Sequence, residues 1–370
     1  MAHPGYFIGL ISGTSLDAVD CALVNFDADI PTLRGTLALP YPAELRRDLQ
    51  KLIQHPQTSL ESLGETHVAV GEQFAKTVNM LLEEQEIAAE EVVAIGSHGQ
   101  TVFHKPAKPL AFSLQIGDPN TIAVQTGIAT VADFRGKDLA AGGQGAPLAP
   151  LFHRAVFGSS KFTRVIVNLG GIANISVLAP GQDYLGYDTG PANSLLDYWA
   201  EKHLGKPFDS CGAWASSGRV NEELLDLFLN DPYFSSPEPK STGREYFNNS
   251  WLEQRLSELT EVPEPIDVQA TLLELTAASV AMEIENQVDP DQIFLCGGGA
   301  HNTALLQRIR ELLPGADVAT TAKLGIDPDW VEAMTFAWLA RQRLEKIAQD
   351  TRVITGAQRP VILGSVYRPD

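Results

Sequence analysis

One aspartate in the chain stands in a context that suits proton transfer. Asp188 opens the tripeptide Asp-Thr-Gly, after an apolar run and before a predicted helix over 191–203. An aspartate at a strand end can direct its carboxylate into a cleft, where it takes a proton from water or a sugar hydroxyl. Aspartic proteases use the same tripeptide, but their chemistry needs two paired carboxylates, and the sequence has no second copy. The alternative is that Asp188 caps the following helix.

Polar side chains also follow two other predicted strands. Ser97, His98 and Gln100 come directly after one short apolar run, and Arg135 follows another. Open α/β proteins bind ligands at the carboxyl ends of their strands, and a guanidinium group suits a carboxylate or phosphate. Each of these residues could instead be a solvated loop residue. Glu332 lies in the first turn of the predicted last helix. Its negative charge can interact favourably with the helix dipole there, or it can contact a ligand.

Three turns rich in glycine could bind phosphate groups. They lie at residues 12–15, at Gly170-Gly171 and at residues 297–299. Turns of this kind present backbone N–H groups to phosphate oxygens. Asp17 and Asp20 follow the first turn, and a carboxylate repels a phosphate unless Mg²⁺ or water lies between them, so at least one is expected to serve a metal. Taken alone, the first turn could also be an ordinary hairpin.

Several familiar motifs are missing from the sequence. There is no G-x-x-x-x-G-K-[ST], and residues 297–302 do not match G-x-G-x-x-G. There is also no H-E-x-x-H, G-x-S-x-G or paired C-x-x-C. P-loop, dinucleotide-binding, metalloprotease, serine hydrolase and zinc-ribbon functions therefore lack support.

Length and composition set the broad class of the protein. A chain of 370 residues favours two domains, and a hydrophobic content of 44% supports real cores. The net charge of −19 argues against binding to nucleic acid or to an anionic membrane. Three widely spaced cysteines, no signal-peptide pattern and no long apolar run favour a cytoplasmic protein without a membrane span.

The predicted elements indicate an α/β protein with two lobes, because strand runs alternate with many helices. The first turn joins apolar runs over 7–11 and 21–24, and the second joins 165–169 and 172–177. Helices are predicted over 43–53, 59–85, 147–157, 191–203, 219–229, 249–259, 267–286, 303–313 and 329–348. The polar, glycine-rich stretch 133–147 is the best boundary. We predict lobes at 1–135 and 136–345, with a tail from about 346 to 370 that returns to the first lobe.

Seven short motifs together resemble the anhydro-N-acetylmuramic acid kinase family. They occur in the family's order and reach from Gly9 to Asn302, at residues 9–20, 96–101, 115–118, 131–135, 168–174, 188–191 and 296–299. The resemblance implies a two-lobed actin-like fold, related to ribonuclease H, with mixed central sheets and an ATP cleft between the lobes. It also implies an enzyme that uses ATP and water to convert 1,6-anhydro-N-acetylmuramic acid to N-acetylmuramic acid 6-phosphate in peptidoglycan recycling.

The resemblance also implies roles for individual residues. Asp188 resembles the catalytic base, which draws a proton from the water that attacks the anomeric carbon. The phosphate-binding residues would be Gly13, Thr14, Ser15, Leu16, Asp17, Ala18, Val19, Asp20, Gly170 and Gly171, with Gly297, Gly298 and Gly299 on the adenosine side. Mg²⁺ would lie near Asp17 or Asp20. We expect Ser97, His98, Gln100, Arg135 and Glu332 to contact the sugar, with Arg135 on its lactyl carboxylate. A homodimer is suggested by the family alone.

Three other functions stay open at this point. One is another sugar or carboxylate kinase of the same fold, and one is a nucleotide-dependent switch protein of actin-like fold that needs no sugar. The third is a glycosidase with two carboxylates, which needs no ATP. The phosphate-type glycine turns count against the glycosidase.

Overall fold

The computed structural model describes residues 5–13, 16–28, 30–55, 57–106, 109–243 and 246–370. The chain divides into two compact units. The first unit consists of Met1–Phe152 and Trp330–Asp370, and the second consists of His153–Asp329. These bounds differ from the predicted lobe boundaries at 135 and 345. The difference has a physical cause in the packing of the first unit.

Strands and helices alternate along the described chain. The strands are β1 (Tyr6–Ser12), β2 (Ala18–Asn25), β3 (Thr32–Pro40), β4 (Val92–Lys105), β5 (Phe112–Ile116), β6 (Thr130–Ala132), β7 (Arg164–Leu169), β8 (Ile172–Leu178), β9 (Leu185–Pro191), β10 (Gln292–Cys296), β11 (Asp317–Thr320) and β12 (Ser365–Tyr367). The helices are α1 (Ala43–Gln54), α2 (Leu60–Gln85), α3 (Pro119–Thr126), α4 (Gly136–Ala140), α5 (Ala149–Phe157), α6 (Asn193–Leu204), α7 (Glu222–Leu229), α8 (Asn249–Ser257), α9 (Pro265–Gln287), α10 (Thr303–Leu312), α11 (Val331–Leu344) and α12 (Arg352–Thr355).

The first unit contains a mixed sheet. Its strand order is β12-β6-β4-β1-β2-β3, and β5 pairs with β4. Strands β1, β2 and β3 form an antiparallel meander, whereas β4 runs parallel to β1 and β6 runs parallel to β4. The tail of the chain returns to this sheet, where β12 pairs antiparallel with β6.

The second unit repeats the same plan. Its sheet has the order β11-β10-β7-β8-β9. Strands β7, β8 and β9 form an antiparallel meander, β10 runs parallel to β7, and β11 runs parallel to β10. The predicted α/β class with mixed sheets is confirmed. The shared order of three meander strands followed by two parallel strands is that of the ribonuclease H-like unit.

Helix ends follow local sequence signals. The Asp118 side chain accepts the N–H groups of Asn120 and Thr121 at the start of α3, and Gly127 ends that helix with φ of 71°. Likewise, Asn302 caps α10 by accepting the Leu305 N–H at 3.1 Å. Such caps satisfy backbone groups that have no partner inside the helix.

A buried aspartate explains why the first unit extends beyond residue 135. Asp138 is fully buried and accepts hydrogen bonds from the hydroxyls of Thr351 and Thr355 and from the Gly145 N–H. Because a buried carboxylate without partners is very costly, these contacts fix residues 136–145 to the tail of the chain. The glycine-rich stretch that we predicted as a boundary is therefore an internal part of the first unit.

Each unit has its own hydrophobic core. In the first, the inner faces of β1, β2 and β4 pack against α1 and α2, and in the second α9 packs among β7, β8 and β9. Despite the length of α2 and α9, none of the helices in the described ranges has the length and hydropathy that a bilayer crossing requires.

Two glycines let α11 approach the first sheet at backbone distance. A Cβ atom placed on Gly9 would lie 1.8 Å from the Ala333 carbonyl oxygen, and one on Gly96 would lie 2.0 Å from the Phe336 carbonyl oxygen. Both obstacles are backbone atoms, which cannot turn aside as a flexible side chain can. Helix α11 therefore requires glycine at both positions.

We predict that Gly9→Ala destabilises the protein by about 1–3 kcal/mol or more, because the added methyl group overpacks the contact with α11. Gly64→Ala is the matched control. Gly64 lies inside α2 with nothing within 4 Å of the added Cβ, so this change should stabilise by about 0.5–1 kcal/mol. Urea unfolding of both variants measures the free energies, and equal effects would contradict the proposed close approach.

Candidate active site

Asp188 lies inside strand β9 and not at its end. The strand continues to Pro191, and α6 starts at Asn193 with no side-chain cap at Ala192. The prediction that Asp188 ends its strand, and the alternative that it caps the following helix, are therefore both wrong. The cause is that Gly190 and Pro191 still pair with Ala173 and Ile172 of β8, so the strand continues past Asp188 across a register shift at Thr189.

Polar side chains form a row across the second sheet. Asp188 on β9 is opposite Asn174 on β8, which is opposite Asn168 on β7, and Cys296 on β10 comes next. Residues directly opposite each other on neighbouring strands share one face of the sheet. The row therefore places a carboxylate, two amides and a thiol side by side.

Hydrogen bonds with Tyr233, Lys240 and Thr242 help to fix Asp188 in place. Its backbone N–H donates to the Lys240 carbonyl at 3.1 Å, and its carbonyl accepts from the Tyr233 hydroxyl at 2.7 Å. The Thr242 N–H donates to carboxylate oxygen Oδ2 at 2.9 Å. Asp188 is only 7% exposed, so its carboxylate is buried and held by a backbone donor.

Two buried polar atoms beside Asp188 lack a hydrogen-bond partner within the described ranges. They are Asn174 Oδ1 and Thr242 Oγ1. Buried polar atoms in native proteins nearly always have a partner, which is often a water or a ligand. The surroundings of Asp188 therefore have unused capacity for a polar ligand.

Sequence reasoning did not select the residues that contact Asp188. Tyr233, Lys240 and Thr242 lie between the predicted helices over 219–229 and 249–259, where the sequence suggests no site, and Asn174 belongs to a motif without an assigned role. The contacts of Tyr233, Lys240 and Thr242 with Asp188 span 45 or more positions in the chain. A local sequence pattern contains no signal for such a contact.

The second and third glycine turns meet in the second unit. The Gly170 and Gly171 carbonyls accept the N–H groups of Asn193 and Ala192, each at 3.0 Å, so this turn packs on the start of α6. Gly297 has φ of 77°, and a Cβ there would lie 2.5 Å from Asn168 Oδ1. The third turn therefore packs directly against the end of β7, next to the second.

Gly298 and Gly299 complete the third turn. A Cβ on Gly299 would lie 2.6 Å from the Leu169 Cβ, whereas one on Gly298 would be 3.9 Å from its nearest neighbour, Asn193 Nδ2. Gly299 is thus required by packing and Gly298 is not. The second and third glycine turns therefore lie side by side in the second unit.

The first glycine turn lies partly outside the described residues. Thr14 and Ser15 belong to that undescribed part. Gly13 accepts the Leu16 N–H at 3.4 Å, and Leu16 has φ of 56° with a buried side chain. Val19 is fully buried as well, so Leu16 and Val19 offer a phosphate only their backbone atoms.

The two acidic residues after this turn differ in position. Asp17 is exposed, and its Oδ1 accepts the N–H of the neighbouring Ala18 at 3.0 Å. Asp20 lies within β2, opposite Ile11 of β1. Within the residues that the structure describes, no group of three or more His, Cys, Asp or Glu could hold a metal by itself. A role for Asp17 or Asp20 toward Mg²⁺ stays a prediction.

His98 and Arg135 are in direct contact in the first unit. Arg135 Nε donates to His98 Nε2 at 3.1 Å, and His98 Nδ1 lies 3.0 Å from the Gly99 carbonyl. Burial, and to a smaller extent the charge of Arg135, hold the pKa of His98 well below its usual 6.5. His98 is thus a neutral imidazole that donates from Nδ1 and accepts at Nε2. Arg135 also donates to the Gly145 carbonyl at 2.7 Å, so two contacts orient its guanidinium group.

Ser97 and Gln100 lie inside β4, so the prediction that they follow a strand is wrong. The strand runs on to Lys105 because it pairs first with β1 and then with β5. Both residues are buried, and Ser97 Oγ and Gln100 Oε1 have no hydrogen-bond partner in the described part of the chain. Ser97 Oγ could donate to or accept from a ligand, whereas Gln100 Oε1 could only accept.

Glu332 lies in the first turn of α11, as predicted from its position. It is one helical turn before Phe336, whose ring lies 4.6 Å from the His98 ring. Residues four apart share one face of a helix. Glu332 is therefore on the helix face that packs toward His98.

A groove in the second unit lies away from the predicted residues. It has a volume of about 600 Å³ and is lined by parts of α7, α9 and α10, with Arg308 paired to Glu274 in its wall. Asp188 and the glycine turns are not among its lining residues. Its size alone assigns no function.

The two sheets with their shared strand order define an α/β protein of the actin-like class with two ribonuclease H-like units. A family model described as anhydro-N-acetylmuramic acid kinase matches residues 5–369. The chain belongs to this family.

Relatives confirm the family over the whole chain. An anhydro-N-acetylmuramic acid kinase from Shewanella halifaxensis (strain HAW-EB4) is 49% identical over 367 residues, covering 99% of both chains. One from Coxiella burnetii (strain Dugway 5J108-111) is 50% identical over 364 residues, covering 98% of this chain and 97% of the relative. An ADPNP-bound activator of 2-hydroxyisocaproyl-CoA dehydratase from Clostridium difficile is 13% identical with a TM-score of 0.45, covering 93% of this chain and 98% of that structure, and this likeness is too weak to support an argument.

Proposed function

We propose that this chain is an ATP-dependent kinase that opens the 1,6-anhydro ring of 1,6-anhydro-N-acetylmuramic acid and phosphorylates O6. The product is N-acetylmuramic acid 6-phosphate. Membership of the family over residues 5–369 supports this activity and favours it over other sugar kinases and over a nucleotide switch. The observation that carries the proposal is the buried Asp188 carboxylate, held by the Thr242 N–H beside polar atoms without partners.

In this reaction Asp188 acts as the general base. It takes a proton from the water whose oxygen bonds to the anomeric carbon, and the bond from that carbon to O6 breaks. The O6 oxygen then bonds to the γ-phosphorus as the bond to the leaving ADP breaks. The reaction is faster when the carboxylate is already held in the reactive geometry. The hydrogen bonds with Thr242, Tyr233 and Lys240 hold Asp188 in this way.

Phosphate binding is assigned to the three glycine turns. Gly13 to Asp20, Gly170-Gly171 and Gly297 to Gly299 would present backbone donors to the nucleotide. Mg²⁺, which neutralises charge on transferring phosphates, would lie near Asp17 or Asp20, with water between them where the carboxylate does not reach it. The packing of the second turn against the third supports the assignment for the second unit.

Sugar contacts are assigned to Ser97, His98, Gln100, Arg135 and Glu332. Arg135 would pair with the lactyl carboxylate, because a guanidinium fork matches a carboxylate and His98 already orients it. Peptidoglycan recycling in the cytoplasm, where ATP is supplied, is the setting that suits this activity. A homodimer is a further prediction, which light scattering on the purified protein would test.

Product analysis in oxygen-18 water tests the reaction. We expect incubation with 1,6-anhydro-N-acetylmuramic acid and Mg-ATP to place the label on the anomeric hydroxyl and the phosphate on O6. Unlabelled product kept in the same water for the same time controls for exchange. Phosphate transfer without label at the anomeric carbon would refute the coupled mechanism, and ATP turnover unaffected by the sugar would favour a nucleotide switch.

Asp188→Asn should lower kcat by about 10²–10⁴-fold, because an amide cannot accept the proton from water. Nucleotide affinity, measured by calorimetry, should stay near that of the wild type. Asp183→Asn replaces an exposed aspartate shortly before the same strand and should keep full activity. Near-normal turnover of Asp188→Asn would show that another group is the base.

Arg135→Ala should raise the KM for the anhydro-sugar by about 10–100-fold, since a charged hydrogen bond contributes about 1.5–3 kcal/mol. The KM for ATP should not change. Arg135→Lys keeps the charge but loses the planar fork, so it should recover only part of the affinity. Lys137→Ala, at an exposed position nearby, is the control. An unchanged sugar KM in Arg135→Ala would exclude this residue as the carboxylate partner.

A further inference from the structure

A segment of the second unit covers the open edge of strand β9. We call residues 231–243 the strap. Strand β9 is the last strand of its sheet, so in the described part of the chain one side of its backbone has no strand partner. The strap supplies partners there at Asp188, through the Lys240 carbonyl and the Tyr233 hydroxyl. It therefore contacts the edge strand at the residue proposed as the base.

The strap begins at a buried carboxylate. Asp231 is 2% exposed and accepts hydrogen bonds from the Tyr246 hydroxyl, the Trp251 indole and the Arg255 guanidinium at 2.7–2.9 Å. Burial alone would raise the pKa of Asp231, but these hydrogen bonds and the Tyr233 N–H hold it below its ordinary value. The start of the strap is thus held in place by the hydrogen-bonded carboxylate of Asp231.

A second charged group holds the strap at its far end. Lys240 Nζ lies 2.7 Å from Glu283 Oε1 of α9, and both side chains are buried. Glu283 Oε2 accepts the Tyr187 hydroxyl at 2.9 Å, while Lys240 Nζ also donates to the carbonyls of Tyr233 and Phe234 at 3.3 Å. One ion pair thus joins α9, β9 and the strap.

Burying this ion pair carries a large desolvation free energy, so it is not the simplest way to hold a loop in place. Removing two charges from water costs several kcal/mol each, and an apolar pair of similar volume often stabilises a fold as well or better. An ion pair, however, fixes direction, because each bond needs a particular donor and acceptor. Lys240 provides both the ammonium group for Glu283 and the backbone carbonyl for Asp188, so the pair sets where that carbonyl lies.

Tyr233 is the other direct link between the strap and Asp188. Burial, and to a smaller extent the charge of Asp188, raise the pKa of Tyr233. Its hydroxyl therefore keeps its proton and can donate it in the hydrogen bond to the Asp188 carbonyl. Its ring also lies under Lys240, whose Nζ is 4.9 Å from the ring centre. The hydroxyl, the ring and the ion pair therefore act on the same short stretch of β9.

We propose that Tyr233 and the Lys240–Glu283 pair are positioning residues, which fix the direction of the Asp188 carboxylate without touching the substrate. This inference rests on the proposed role of Asp188 as the base. A misplacement of about 1 Å can cost about 10²-fold in rate. Loss of either link should therefore lower kcat and leave both KM values unchanged.

The test uses two variants of the full chain with matched controls. Tyr233→Phe removes only the hydroxyl that donates to Asp188, and Lys240→Met removes the ammonium group of the buried pair. Tyr198→Phe and Lys202→Met are the controls, since both residues bond to Glu253 near the surface of the same unit. We expect kcat to fall about 10-fold or more in the first two variants and to stay within about twofold in the controls.

The same changes in the Asp188→Asn background separate positioning from general damage. If Tyr233 and Lys240 act through the Asp188 carboxylate, their removal should not lower the residual rate any further, measured with radiolabelled ATP over long incubations. An equal loss of rate in both backgrounds would overturn the inference. Should Lys240→Met fail to fold, Tyr233→Phe decides, because it removes a single oxygen atom.

The outcomes distinguish this inference from the proposed function. An inactive Asp188→Asn together with a fully active Tyr233→Phe would overturn the positioning role and leave the base assignment intact. A fully active Asp188→Asn would overturn the base assignment itself. A lowered kcat in Tyr233→Phe that disappears in the Asp188→Asn background would establish the role.

Discussion

The hydrogen bond from the Thr242 N–H to Asp188 Oδ2 is the interaction on which the site depends. A carboxylate that serves as a base must be partly removed from water, yet burial of an unpaired charge is costly. Backbone donors solve this conflict, because they stabilise the charge without adding a second titrating group. The donor comes from a segment that also bonds to both backbone groups of Asp188, so position and charge are set together.

Close contacts at glycine residues also set how other elements pack within each unit. Helix α11 lies against β1 and β4 because Gly9 and Gly96 present no side chain to it, and the third glycine turn lies against β7 because Gly297 and Gly299 present none. Glycine in this chain thus sets the distances between elements as well as the shapes of turns.

In the first unit, a chain of polar contacts reaches the proposed sugar-binding arginine from the end of the polypeptide. Thr351 and Thr355 donate to Asp138, which accepts the Gly145 N–H, and the Gly145 carbonyl in turn accepts from Arg135. The depressed pKa of His98 keeps its Nε2 available as an acceptor for the same guanidinium group. Through Asp138 and Gly145, residues more than two hundred positions away thus help to set the position of a direct partner of Arg135.

The sequence by itself determined the α/β class, the paired glycine hairpins, most helices and the family, because these follow from apolar periodicity, glycine placement and short motifs. It misplaced Asp188, Ser97 and Gln100 relative to strand ends, since strand length depends on pairing with distant strands such as β8 and β5. The extent of the first unit, the strap over β9 and the Lys240–Glu283 pair were decided only by the tertiary structure. Such contacts join residues far apart in the chain, and no local pattern specifies which buried donor will meet which acceptor.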